Sequence, residues 1–375
     1  MILSDHHLML RDTLREFAHT VLAPCAAEWD RAHHFPRDAL RQLGAVGALG
    51  VLVPEAFGGS GMDYLSLAVA LEEIAVGDGA VSTIVSVQNS VVCGPILQFG
   101  TAEQQARYLP RLASGEMLGC FCLTEPAVGS DASAIQTTAT RDGDDYLISG
   151  VKQFITTGKN ADIAIVFAVT DRTAGRKGIS AFIVETANSG YRVQRVEEKL
   201  GQRASDTAQI AFEQCRVPRD AMLGKEGEGY RIALGNLEGG RIGIGAQSVG
   251  MARAAYEAAL TYARDRVSFG KPIIEHQAIA FKLADMAVSI EASRQLVWHA
   301  AALRDSGAPC LKEASMAKLF ASEAAERVCS DALQIHGGYG YVTDFPVERI
   351  YRDVRVCQIY EGTSDIQRIV ISRAL

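Results

Sequence analysis

The chain has 375 residues, 48% hydrophobic and 22% charged, with a formal net charge of −7. A chain of this kind buries two or three substantial cores and is too apolar to remain disordered. Its acidic balance offers no basic field to nucleic acid or an anionic membrane, while local basic clusters can still hold a phosphorylated cofactor.

The N-terminus, Met-Ile-Leu-Ser-Asp-His-His, lacks a signal-peptide pattern. The longest uncharged apolar run is read as residues 43–53, eleven residues with three glycines, too short to span a bilayer. Residues 1–118 read as a helical domain. TAEQ at 101–104 is a capping-box pattern, with Thr101 as N-cap and Gln104 three residues on. PEAFGGSG at 54–61 reads as a glycine-rich loop.

The character changes over residues 119–226. Residues 163–169, 179–184 and 208–212 are short β-branched or aromatic runs, punctuated by turn signals at 142–145 and 188–190. They predict a small antiparallel β-domain, and the lack of strand–helix alternation argues against a doubly wound sheet. Over 227–375 the chain is helical again. Residues 249–264 form an alanine-rich helix, and Ile279, Leu283, Met286 and Ile290 mark one face of another. A third runs over residues 312–335. The fold class is therefore α+β, mostly α.

Eight cysteines are scattered without a CxxC pair or metal-finger histidines, so no metal site is expected. They read as buried thiols of a reducing compartment, with the cytoplasm as the expected location. No GxGxxG, phosphate loop or GxSxG occurs. Each remaining motif has a plain structural reading beside a functional one. FCLTEPAVGSD (121–131) is an ordinary loop or a grip for a heterocycle and phosphate through Thr124 and Ser130. Phe154 with the hydroxyls after it is a half-buried strand or a wall for a flavin ring. Arg266 complements a helix dipole or pairs with pyrophosphate, with Gly270 read as the helix stop. The glycines after Gln334 make a C-cap or a close backbone approach to a ligand. Residues 238–241 precede a helix starting near Ile242, as a cap or a substrate contact. Glu361 is a pre-helix loop residue, with Ser364 and Gln367 as a capping box, or a base whose pKa is raised by apolar surroundings.

The combination resembles the acyl-CoA dehydrogenase family from about residue 10 to the end. The motifs ITTG, KLGQRASDT, EGGRIGI, RVSFGKPIIEHQ, QIHGGYGYVTDFPVER, YRD and IYEGTSDIQR occur in family order and spacing. LGNLEGGRIGIGAQSVG and SVQNSVVCGPILQFG look most like the short-chain and short-branched members. The resemblance implies an N-terminal helical domain, a middle antiparallel β-domain and a C-terminal four-helix bundle. It also implies FAD, a homotetramer, and electron transfer flavoprotein as redox partner. By position, Phe121, Leu123, Thr124, Ser130, Phe154 and Thr156 would lie along the flavin. Arg266, Gln277, Gln334 and Gly338 would meet the adenosine diphosphate part, some of them reaching a neighbouring subunit's FAD, and Phe269 and Gly337 would also bind the cofactor. Thr363 and Asp365 would complete the cofactor site. Ser130, Glu238, Arg241, Tyr360 and Gly362 would touch the acyl-CoA.

Glu361 matches the family's catalytic base. Some members carry the base at the position of Gly240, so Glu361 has no competitor there. Phe154 stands where most relatives have Trp, keeping an aromatic wall but removing an N–H donor. The implied reaction is α,β-desaturation of an acyl-CoA thioester, with Glu361 taking the α-proton while the β-hydrogen leaves as hydride. The enolate oxygen would accept bonds from the Glu361 N–H and a ribityl hydroxyl. Residues 86–90 lie where family pockets end, which suggests a short or short-branched chain. The rival expectations are a flavin oxidase or monooxygenase on the same fold, and a non-catalytic flavin-binding protein.

Overall fold

The structure, a computed structural model, describes residues 2–375. Seven helices come first: α1 (Asp5–Phe17), α2 (Ala23–Ala32), α3 (Arg37–Ala45), α4 (Tyr64–Gly77), α5 (Gly79–Val87), α6 (Gly94–Phe99) and α7 (Ala102–Ala113). α4 and α5 are buried nearly all round, which explains why they show no amphipathic stripe. Each starts on an aspartate: Asp63 accepts from the Ser66 N–H and Asp78 from the Val81 N–H. α7 begins on the expected box, with Thr101 and Gln104 exchanging side-chain and backbone bonds. Residues 43–53 are not the longest apolar stretch. Gly79–Phe99 is a continuous helical segment long and apolar enough to cross a membrane, and its most apolar window is 89% buried inside the protein. A π-helical bulge at Gln88–Cys93 turns Gln88 and Asn89 onto backbone groups of neighbouring segments.

The middle region holds β1 (Gly119–Cys122), β2 (Thr138–Asp142), β3 (Asp145–Thr156), β4 (Ile163–Val169), β5 (Ile179–Glu185), β6 (Tyr191–Val196), β7 (Thr207–Pro218) and β8 (Met222–Leu223). Seven of these strands follow the order β6-β7-β3-β2-β4-β5-β8, with β1 added on β4. Most pairs are antiparallel, as expected, but β1 runs parallel to β4 from Gly119↔Ile163 to Cys122↔Val166, and β2 touches β4 in parallel at Thr138↔Val169. β1 enters the sheet directly from the helical domain, so its direction is set by that crossing and not by a hairpin.

α8 (Gly229–Asp265) follows, then a short hairpin of β9 (Val267–Ser268) and β10 (Lys271–Pro272), α9 (Gln277–Asp305), α10 (Leu311–His336), α11 (Val347–Val354) and α12 (Ser364–Ser372). Two sequence expectations fail here. α8 begins thirteen residues before Ile242, so Glu238–Arg241 lie inside the helix. The glycines that suggested a break serve close packing instead: a Cβ on Gly243 would stand 2.6 Å from Ser86 Oγ. Gly270 is not a helix stop, since α8 ends at Asp265 and Phe269–Gly270, both at positive φ, turn the hairpin. Ile279, Leu283, Met286 and Ile290 do face the core, and one hydrophobic core runs from α1 to Cys357.

Candidate active site

The segment between α11 and α12 carries Glu361 in a left-handed conformation, φ 52°, followed by Gly362 at φ 86°. L-residues avoid this region, so a glutamate persists there only when its surroundings enforce it. Gln367, fully buried, donates from Nε2 to the Glu361 carbonyl (3.0 Å) and to the Gly362 carbonyl (2.9 Å). Lys318 Nζ donates to the Gly362 carbonyl at 2.8 Å. The Tyr360 hydroxyl donates to Gln247 Oε1 at 2.9 Å, with Gln202 and Thr83 beside it. Tyr360 therefore spends its hydroxyl anchoring the loop. The helix cap is Thr363, whose Oγ1 accepts from the Ile366 N–H, and not Ser364. Gln367 is committed to the loop carbonyls instead of to a capping box.

The Glu361 carboxylate faces Gly240 on α8. A Cβ at that glycine would lie 2.5 Å from Glu361 Oε1 and 2.9 Å from its carboxyl carbon. Glu361 as a residue is only half-buried, yet its carboxyl is surrounded by protein, and the carboxyl's own surroundings govern its charge. Burial pushes its pKa from 4.5 up to about 7, while the Arg241 and Lys318 charges pull it back down. Arg241 is 6% exposed; its Nη1 lies 3.5 Å from Ser315 Oγ and its Nε has no partner among the described residues. Glu238, one turn earlier, is committed to Arg304 Nη1 at 2.8 Å. The Glu361 N–H has no hydrogen-bond partner among the described residues.

The β-domain residues gather around β1 and the end of β3. The Gln153 N–H donates to the Thr124 carbonyl at 2.8 Å, tying the loop after β1 to β3. Beneath it lies a buried ion pair, Lys152 Nζ to Glu125 Oε1 at 2.9 Å, and Glu125 also accepts from the N–H groups of Gln136 and Thr137. The register of β3 against β7 shifts between Lys152 and Ile155. That bulge puts Phe154 at φ 58° and leaves it 63% exposed. An extra residue in a strand re-aims a side chain, and here the re-aimed side chain is the aromatic singled out from the sequence. Phe121, Leu123, Thr124 and Thr156 are half-buried around this edge, and Ser130 is exposed in the loop.

A second group lies at the other end of α8. Arg266 is the C-cap of that helix and Arg241 sits 25 residues earlier; at 1.5 Å per residue they are roughly 37 Å apart along the axis. Arg266, Gly337 and Gly338 line a cavity of about 590 Å³ with Tyr262, His336 and Tyr339. The Arg266 guanidinium lies 5.9 Å from the Tyr339 ring centroid, and no carboxylate pairs with it among the described residues. Gln277 opens α9, Gln334 is in the last turn of α10, and Phe269 is 93% exposed at the hairpin tip. No β-domain residue lines this cavity. One chain thus presents two separate groups of predicted site residues. Thr363 and Asp365 belong with the Glu361 loop, and Asp365 is exposed. Sequence reading missed Lys318, which no motif distinguishes from an ordinary helix residue, and gave Gln367 a capping role where it holds the loop carbonyls.

Three family models together match nearly the whole chain: the acyl-CoA dehydrogenase N-terminal domain over residues 4–116, middle domain over 120–215 and C-terminal domain over 227–375. The chain is 49% identical to the mitochondrial short-chain specific acyl-CoA dehydrogenase of Bos taurus, covering 99% of this chain and 90% of that one. It superposes with a TM-score of 0.98 and 42% identity on butyryl-CoA dehydrogenase from Megasphaera elsdenii, covering 100% and 99% of the two chains. A structure from work on the electron transferring flavoprotein of Acidaminococcus fermentans matches with a TM-score of 0.98 and 47% identity, covering 100% and 98%.

Proposed function

This chain belongs to the acyl-CoA dehydrogenase family, and we propose that Glu361 is the base that takes the α-proton of a short or short-branched acyl-CoA. The chain is an FAD-dependent oxidoreductase of that family. The observation that carries the assignment of the base is the Glu361 carboxyl itself. It lies in a dry setting, opposite a glycine that leaves it room, with its pKa raised to about 7. A base poised near neutral pH matches proton abstraction beside a thioester.

The residues present fit FAD. At one group, an exposed aromatic and threonine hydroxyls suit a flavin ring. At the other, Arg266 without a carboxylate partner lines an open cavity with two glycines, which suits a pyrophosphate. We assign Phe121, Leu123, Thr124, Ser130, Phe154 and Thr156 to the ring end. Arg266, Phe269, Gln277, Gln334, Gly337 and Gly338 take the dinucleotide end, and Thr363 and Asp365 border the cofactor near Glu361. Bound FAD supplies the hydride acceptor. Glu361 receives the α-proton, its unpartnered N–H is available to the thioester oxygen, and the loop clamps keep the carboxyl on its target. Glu238, Arg241 and Gly362 border the acyl-CoA in this reading.

The roughly 37 Å along α8 between Arg241, which faces Glu361, and Arg266, whose cavity has no β-domain residue in its lining, supports a cofactor bound across a subunit boundary, and so a homo-oligomer, for which we propose a tetramer. We take the domains as 1–118, 119–226 and 227–375. A short acyl slot agrees with the names of the bovine and Megasphaera relatives and with Ser86, buried against Gly243 of α8, and the buried Ser90, whose hydroxyl donates to the Ser86 carbonyl. Electron transfer flavoprotein as acceptor agrees with the Acidaminococcus match. The free, mostly buried cysteines agree with a cytoplasmic location.

Anaerobic mixing with an acyl-CoA panel tests the assignment. Wild type should bleach its flavin fastest with short chains, at a rate that rises with pH as Glu361 loses its proton near 7 and then levels. Glu361→Gln should retain FAD and bind acyl-CoA without bleaching. Rapid bleaching by that variant would exclude Glu361 as the base, and rapid reoxidation of reduced wild type by air would favour an oxidase.

A further inference from the structure

Lys318 lies on α10 among the buried Ala314, Ala317 and Ala321, and its own side chain is fully buried. Its ammonium has one hydrogen-bond partner, the Gly362 carbonyl at 2.8 Å, and no carboxylate within ion-pair distance among the described residues. Lysine is almost never fully buried without a partner charge, because losing its hydration is costly. α10 is otherwise rich in alanine along this face, so packing does not call for a lysine. The ammonium is aimed at the strained loop instead, where it and Gln367 Nε2 converge on the same carbonyl oxygen. That oxygen belongs to the residue after Glu361, which holds the only left-handed glutamate among the described residues.

The charged and titratable groups around this pair are few. Arg241 faces Glu361 from α8, with Glu238 acting on Arg241; Cys357 and Glu361 face Lys318 from the segment between α11 and α12, and Glu323 acts from α10 itself. Two cations therefore look onto one carboxylate. Only Lys318 is also bonded to the backbone that carries it.

We propose that Lys318 is a positioning residue for proton abstraction: it clamps the Glu361–Gly362 turn through the Gly362 carbonyl and sets a fixed positive charge beside the base. The inference rests on reading Glu361 as the base. The clamp holds the left-handed turn that aims the carboxyl, and the charge favours the ionised form that accepts the proton. Burial works against this second role, pushing Lys318 down to about 8, so the charge is in place at neutral pH and fades above it.

The test uses the FAD-loaded enzyme and acetoacetyl-CoA, a thioester with an acidic α-proton and no β-hydrogen to transfer. Its enolate absorbs in the ultraviolet, so proton transfer is read without turnover. Lys318→Met should shift the pH midpoint of enolate formation upward by about one unit, tenfold in proton affinity. Lys318→Gln, which keeps a donor but no charge, should show the same shift while retaining more of the flavin-reduction rate. If either variant holds FAD and titrates as wild type does, the charge role falls. If both lose FAD or unfold, Lys318 is only a structural residue and the inference is overturned. If wild type forms no enolate while still bleaching with substrate, the fault lies with Glu361 as base and not with Lys318 alone.

Discussion

At the residue scale the site depends on what is missing opposite Glu361. Gly240 is buried in the middle of α8, where alanine would ordinarily raise helix stability by about 1 kcal/mol. Here the added methyl would overlap the Glu361 carboxyl, 2.5 Å from Oε1. The glutamate cannot yield by moving its backbone, because Lys318 and Gln367 hold both carbonyls of the turn. The carboxyl must rotate away from the α-carbon. Displacing a reacting group by about 1 Å loses roughly 100-fold in rate. Gly240→Ala should therefore unfold at or above the wild-type temperature, retain FAD and reduce flavin about 100-fold more slowly. An unimpaired reduction rate would show that Glu361 has room elsewhere. Glu361 was legible from its sequence neighbourhood because the loop that carries it is a contiguous motif. Lys318 was not, because it acts on the loop from α10, whose register no local pattern reveals, and Gln367 was read as a cap because its reach back to the loop carbonyls is set by packing.

At the element scale α8 shows how packing overrides propensity. Its glycines argued for a later start, yet the helix is continuous from Gly229 to Asp265. Backbone propensity and close packing can be separated by substitution. Gly235 has nothing within 4 Å of an added Cβ, whereas a Cβ on Gly250 would overlap the backbone carbonyl oxygen of Glu72 on α4. Gly235→Ala should raise stability by about 0.5–1 kcal/mol through the backbone alone. Gly250→Ala gains the same term but forces two helices apart, and overpacking of about 1–3 kcal/mol outweighs it. Thermal unfolding of both variants checks the pair, with the melting temperature expected to rise in the first and fall in the second. The strands and the capping box at Thr101 were readable because their signals are local. The parallel β1–β4 pair and the β9–β10 hairpin were not: the first depends on how the chain crosses between domains, the second on two residues at positive φ, which a glycine after a helical pattern does not distinguish from a helix stop.

At the scale of the whole molecule, buried charge stitches the helical regions together. Glu73 on α4 meets Arg15 from α1 and Arg253 from α8, and Glu72 meets Arg253 and Arg294 from α9. Such pairing ties α1 and α4 of the N-terminal helical domain to α8 and α9 of the C-terminal one. The Arg266 end of α8 is finished differently. Phe269 is 93% exposed, Tyr341 86%, Val267 58% and Tyr339 49%, all at or beside the cavity with Arg266. Exposed aromatics gathered in one region suit a surface that a second chain would cover in the proposed oligomer. If a second subunit both covers these residues and supplies the flavin end of the same site, assembly and cofactor retention are linked by mass action. A carboxylate in place of Phe269 would then have to be buried against the partner without a counter-charge, while the fold of one chain would hardly feel it. Phe269→Glu should therefore keep its helical circular dichroism, sediment as smaller species and lose FAD on dilution. FAD retained in full by a dissociated subunit would mean that each chain completes its own cofactor site.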